Sequence, residues 1–187
     1  MEISESQIIQ ECQNGNLDRF AEIYDLYIEK IYSFIYYRVG HKETAEDITS
    51  TVFMKSMDKI GSFNSSQGNF SSWLYRIARN SVIDHYRTKK ETANIDDFFD
   101  LGQSDNFDDK LDTSLKLEEV KKYLQNFSKE QREIIIMRVW DELSYKEIAE
   151  ITGKSEGAIK MIVSRIMSSI RKEPSLVGLI IWLKLIN

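Results

Sequence analysis

The sequence predicts an all-α protein made of two small helical domains joined by a flexible acidic linker. Three observations carry that expectation. Glycine and proline are scarce, eight and one in 187 residues, so few breakers interrupt the chain. Apolar residues recur over long stretches at helical spacing, and alternating, strand-like runs are few. The carboxylates are segregated: Glu91 to Thr113 holds eight of them against the single cation Lys110, with no sustained helical period. The 42% hydrophobic and 29% charged content suits one globular domain or two small ones.

A net charge of −5 and a pI near 5.2 look wrong for a nucleic-acid binder. The segregation removes the objection, because the acidic segment alone exceeds that deficit and the rest of the chain is positive. Domains are therefore expected at 1–90 and 114–173, with the linker at 91–113 and an apolar tail at 174–187. Fully extended, the linker reaches about 75 Å. Its aspartates lack an EF-hand pattern and read as a solvated tether.

Taken in order, Met1 to Gln10 carries Glu2 and Glu5 and no apolar leader, so a cytoplasmic protein is expected. The single cysteine, Cys12, excludes an internal disulfide and reads as a buried thiol. A first long helix has the core face Phe20, Ile23, Tyr24, Tyr27, Ile28, Ile31, Phe34 and Ile35, and Gly40 ends it. Thr44-Ala45-Glu46-Asp47 opens the next, which runs through Ile48, Val52, Phe53, Met54 and Met57 to Ile60. Its mixed apolar and charged groups make Met54 and Lys55 candidates for a partner surface, or for an ordinary surface helix. The loop Gly61 to Asn69 is rich in amides and hydroxyls that can hydrogen-bond a base edge.

Phe70 to Arg87 interleaves aromatics and arginines on one amphipathic helix. Trp73, Leu74, Ile77, Ala78 and Val82 fall on one face, and Arg76, Arg79, Asn80, Asp84 and Arg87 on or beside the other. From Trp73 to Lys90 five cations face one anion, a composition that neutralises phosphates and stacks on unpaired bases, though a merely solvated arginine face has the same pattern. His41 and His85 are too isolated for a zinc pair or a catalytic dyad.

Tyr145 to Arg165 reads as a helix-turn-helix. Ser144 and Glu147 form a capping box, Gly153 supplies the turn, and Ser155 caps a second helix. That helix carries Ile159, Val163, Ile166 and Ile170 inward and Lys160, Arg165, Arg171 and Lys172 outward. Ser155, Glu156, Gly157, Lys160 and Met161, with Ser164 and Arg165 a turn on, are placed to reach a major groove. Pro174 stops the helix, and nine of the thirteen residues from Ser175 on are large and apolar. These are too few to span a bilayer; packing on the preceding domain is favoured over a protein partner or a membrane surface.

An Ala-Glu-Asp helix, a polar loop, Trp-Leu-x-x-Ile-Ala-x-Asn with a downstream Asp and Arg, an acidic linker and a helix-turn-helix follow one another here. That order resembles the bacterial sigma-70 family, and most closely its small extracytoplasmic-function (ECF) sigma factors, which retain only the second and fourth sigma domains. The resemblance covers about residues 17 to 172. It implies a promoter-recognition subunit that binds core RNA polymerase and promoter DNA, is held by an anti-sigma factor, needs no metal or cofactor, and is itself no enzyme. Asp47, Ile48, Thr51, Met54 and Lys55 would dock on the clamp of the large polymerase subunit, while the flap of its partner subunit also contacts the chain. Phe63 and Asn64 would receive a flipped base of the −10 element. Trp73, Arg76, Arg79, Asn80 and Arg87 would hold the opened strand, and Ser155, Glu156, Lys160, Met161, Ser164 and Arg165 would read the −35 element. Ser50-Thr51 stands where the family often has Gln-Glu, and Met161, Ile162 and Met167 where Ser, Arg or Ala are common. In the same frame, the acidic linker is expected to restrain DNA binding by the free chain.

Two other classes fit parts of the pattern. A stand-alone helix-turn-helix regulator would bind duplex tightly without polymerase, and a small nucleic-acid enzyme would need paired carboxylates on ordered structure. Neither a ligand-pocket signature nor such a pair is evident.

Overall fold

The computed structural model describes residues 4–89 and 123–172. Among the described residues there are seven α-helices and no strand: α1 (Glu5–Gln13), α2 (Phe20–Val39), α3 (Lys42–Lys59), α4 (Phe70–Lys89), α5 (Lys129–Val139), α6 (Tyr145–Thr152) and α7 (Glu156–Ile170). The acidic linker and the apolar tail lie outside the described residues. The chain divides into two compact units, one built on α1 to α4 and the other on the helices after residue 123.

In the first unit α2 is the central element and packs on α1, α3 and α4. Its Ile23, Ile31, Phe34 and Ile35 are fully buried, meeting a core to which α3 gives Ala45 and Val52 and α4 gives Leu74 and Ala78. Each large apolar side chain so buried contributes about 1.5–3 kcal/mol relative to exposure. The expected core face is too wide at one edge. Tyr24 is 42% exposed, with its ring 4.8 Å from that of Phe53, and Ile28 is half-buried. Position 24 lies about 100° around the helix from Ile23, past the arc that the neighbouring helices cover.

Gly40 ends α2 with φ 66°, a left-handed conformation natural to glycine, and donates its N–H to Tyr36 O at 2.8 Å. The chain then turns extended at His41, whose Nδ1 accepts the Thr44 N–H at 3.4 Å. His41 is therefore a helix cap, and α3 begins at Lys42 rather than at Thr44.

Sequence periodicity gave no helix before residue 20, yet α1 is there. Ser4 and Gln7 close a capping box, and Ile8, Ile9 and Cys12 are buried. The Tyr27 hydroxyl donates to Glu5 Oε2 at 3.0 Å, tying α2 back to α1. Cys12 is the buried thiol expected, and burial pushes its pKa up.

In the second unit α5 also starts on a capping box, Ser128 with Gln131, and packs on α7. Ile134, Ile135, Ile136 and Met137 are consecutive and all buried, and α7 contributes Ile159, Val163, Ile166 and Ile170. The helix-turn-helix has the local chemistry the sequence predicts. Glu147 N–H donates to Ser144 Oγ at 3.2 Å and Ser144 N–H donates to Glu147 Oε2 at 2.8 Å. Gly153 takes φ 74°, and Ser155 Oγ accepts the Ala158 N–H at 3.2 Å.

Candidate nucleic-acid and polymerase interface

Helix α4 has two chemically distinct faces. Leu74, Tyr75, Ala78 and Val82 are buried, whereas Arg76, Asn80 and Arg87 are exposed and Arg79 is half-buried. The aromatic share of the strip therefore serves the core more than a nucleic acid. Tyr75 is 2% exposed and meets Phe34 edge-on at 5.0 Å; the half-buried Tyr86 donates its hydroxyl to Arg38 O at 2.7 Å. Arg87 pairs with Asp84 at 3.2 Å on a largely solvated surface, a contact worth little in water and readily exchanged for a phosphate.

The loop before α4 is held from both sides. Phe63 rests on Phe70 and Trp73, with ring centroids 5.3 and 5.6 Å away, and Phe70 also meets Tyr27 at 5.8 Å. From α1, the Gln13 amide donates to both Ile60 O and Phe63 O, at 3.0 and 2.8 Å. The unanticipated first helix thus fixes the backbone around Phe63. Asn64 Oδ1 accepts from the Ser66 N–H and hydroxyl, so it shapes its own turn, and Asn69 caps α4 by accepting the Ser72 N–H at 2.7 Å. Trp73 is half-buried in this aromatic group.

On α3 the five residues assigned to polymerase separate. Asp47, Thr51 and Met54 are exposed, Met54 at 65%, and Thr51 donates to Asp47 O within the helix. Lys55 is half-buried and donates to Ser81 Oγ at 3.2 Å, bridging α3 to α4. Ile48 is 6% exposed. It is a core residue and is corrected from the docking set, since its position falls on the same inward row as Ala45, Val52 and Ser56.

In the second unit the exposed face of α7 is the stripe Glu156, Gly157, Lys160, Met161, Ser164 and Arg165. Lys160 Nζ pairs with Glu156 at 2.6 Å and sits 5.9 Å from the centroid of the Tyr145 ring, which also lies 5.2 Å from the Arg138 guanidinium. The hydrogen bond and charge of Glu156 push the Lys160 pKa up, so it stays cationic. Ser155 is exposed but spends its hydroxyl on capping. Among the described residues no group of three or more His, Cys, Asp or Glu side chains could hold a metal, and no helix is long and apolar enough to cross a membrane.

A four-helix unit carrying a basic helix face, followed by a helix-turn-helix, has the architecture of a nucleic-acid-binding class of protein. The family described as Sigma-70 region 2 matches residues 23–92, and that described as Sigma-70, region 4 matches residues 117–170. The ECF RNA polymerase sigma factor SigW of Bacillus subtilis is 30% identical over 184 residues, covering 92% of this chain and 98% of SigW. The ECF RNA polymerase sigma factor BldN of Streptomyces coelicolor is 33% identical over 171 residues, covering 89% of this chain; the chain spans 64% of the length of BldN. The structure of the sigma factor RpoE from Bartonella quintana, solved with the anti-sigma factor NepR, matches with a TM-score of 0.60 at 30% identity, covering 80% of this chain and 92% of that one. The chain belongs to the ECF sigma factors of the sigma-70 family, and its function is that of an RNA polymerase sigma factor.

Proposed function

We propose that the two units divide promoter recognition between them. The basic face of α4, with Arg76, Arg79, Asn80 and Arg87, holds the opened strand of the −10 element, and the loop at Phe63 and Asn64 takes up an unstacked base. The exposed side of α3, with Asp47, Thr51, Met54 and the partly engaged Lys55, docks on the clamp of the large polymerase subunit. The α7 stripe reads the −35 element in the major groove, and the flap of the second large subunit engages the same unit.

The observation that carries this reading is the sorting of α4: Arg76, Asn80 and Arg87 lie outward, with Arg79 half-buried, while Leu74, Tyr75, Ala78 and Val82 are consumed by the core. A face of that composition binds phosphates by counterion release and costs the fold nothing when DNA leaves. Unstacking costs a few kcal/mol per base, offset by capture at the protein surface. RpoE of Bartonella quintana was crystallised with an anti-sigma factor, and this supports a protein inhibitor of the same kind for this chain.

The test is promoter opening by holoenzyme, read as permanganate reactivity of unpaired thymines. Replacing Arg76 and Asn80 together by Ala should reduce opening while leaving core-polymerase binding intact. Equal opening by the variant would overturn the assignment of α4.

A further inference from the structure

The α7 stripe contains one residue that neither charge nor packing accounts for. Met161 is 53% exposed at the middle of an otherwise polar surface. It lies about 200° around the helix from both Ile159 and Val163, which are buried, so it points directly away from the core. Its neighbours on that surface, Gly157, Lys160, Ser164 and Arg165, are all exposed. Arg165 Nη2 lies 3.6 Å from the Met161 sulfur, so thioether and guanidinium form one composite patch. Lys160 is drawn to one side by Glu156, and Gly157 presents no side chain: a Cβ there would meet nothing within 4 Å. The apolar thioether is thereby left exposed on the stripe, flanked by Arg165 and by the open space at Gly157.

The major groove offers such a group one apolar partner, the 5-methyl of thymine. We propose that Met161 reads a thymine methyl in the upstream promoter element, with Arg165 hydrogen-bonding the base or phosphate beside it. The inference rests on the assignment of α7 to the −35 element and deepens it by naming the chemistry read. It makes Met161 a specificity determinant that works by contact with a methyl group. A serine or arginine at this position, common in the family, would read a different feature.

The experiment uses holoenzyme and duplexes selected from a library randomised across the upstream element. Each thymine of the selected element is replaced in turn by deoxyuridine, which pairs identically and lacks only the 5-methyl. One replacement should weaken binding by about fourfold, as expected for one methyl group removed from contact. That penalty should vanish in Met161→Ala and survive in Met161→Leu, which keeps an apolar side chain of similar reach. A selected element without thymine, or a deoxyuridine penalty that persists in Met161→Ala, would overturn the proposal. Arg165→Ala separates the two levels of the argument. If it weakens binding across selected sequences while deoxyuridine has no effect, only the methyl contact is wrong; if it has no effect on upstream binding, the assignment of α7 itself fails.

Discussion

Tyr75 and Arg76 are adjacent in α4 and should fail in opposite ways when truncated. Tyr75 is 2% exposed and edge-on to the fully buried Phe34 at 5.0 Å, with an interplanar angle of 80°. Replacing it with Ala removes a whole aromatic ring from a packed site, a class of change that costs about 3–5 kcal/mol, some of it from the lost ring pair. Against a typical stability of about 5–15 kcal/mol this is a large fraction. In urea, with a slope of about 1–3 kcal/mol per molar, the midpoint of the first unit should fall by about 2 M. Arg76 is exposed; its replacement by Ala should change stability by no more than about 0.5 kcal/mol. Loss of a charged hydrogen bond to a phosphate, about 1.5–3 kcal/mol, should instead reduce promoter opening at least about tenfold. Urea unfolding of the full chain by far-UV circular dichroism and permanganate footprinting of the holoenzyme give the two readouts. A Tyr75→Ala variant within about 1 kcal/mol of the parent, or an Arg76→Ala variant as unstable as Tyr75→Ala, would refute the two-faced reading.

Ser144→Ala removes one half of the capping box of α6 and should destabilise the second unit by about 1 kcal/mol, read from its urea midpoint. Gly157→Ala adds a methyl in open space and should raise stability by about 0.5 kcal/mol through the unfolded chain, while weakening upstream-element binding in a gel-shift assay of the holoenzyme. Cys12, buried with a raised pKa, should react with a thiol reagent only as the first unit unfolds. Its contribution to stability is fully present below the unfolded thiol value, about 8.5, and is lost as pH rises through the folded value. Stability measured at increasing alkaline pH should therefore fall more in the parent than in Cys12→Ala.

The helix-turn-helix of the second unit was legible because each of its signals is local, whereas α5, with its consecutive buried Ile134 to Met137, was not anticipated because four adjacent apolar residues show no helical period. A Ser-x-x-Glu box, a glycine four residues after Ala149, a capping Ser155 and four inward apolar positions in α7 each act within one or two turns, and the structure has all of them. The first unit was legible in outline only. The helix α1 buries three side chains among polar ones, too few for periodicity to register, although the Ser4 and Gln7 spacing signals a capping box. The inward positions of Tyr75 and Ile48 were not legible because composition marks a helix as mixed without fixing the azimuth of each position, and the azimuth depends on which helices cover it. Arg38 is 3% exposed, its guanidinium over the Phe34 ring and donating to Phe34 O at 2.6 Å. Nothing in sequence marks it as an interior residue, because a ring face and a carbonyl of the same helix engage it and neither leaves a pattern in the sequence. The clamp from Gln13 to the Phe63 loop spans fifty positions, a separation at which pattern reading has no purchase.

Run-off transcription reads whether this chain directs RNA polymerase to promoters through α4 and α7. Core polymerase from the source organism, with and without the purified chain, is given fragmented genomic DNA and the transcript starts are mapped. Discrete new starts that share an upstream motif and disappear with Arg165→Ala are expected. New starts without a shared upstream motif, or none from an active core enzyme, would contradict that role.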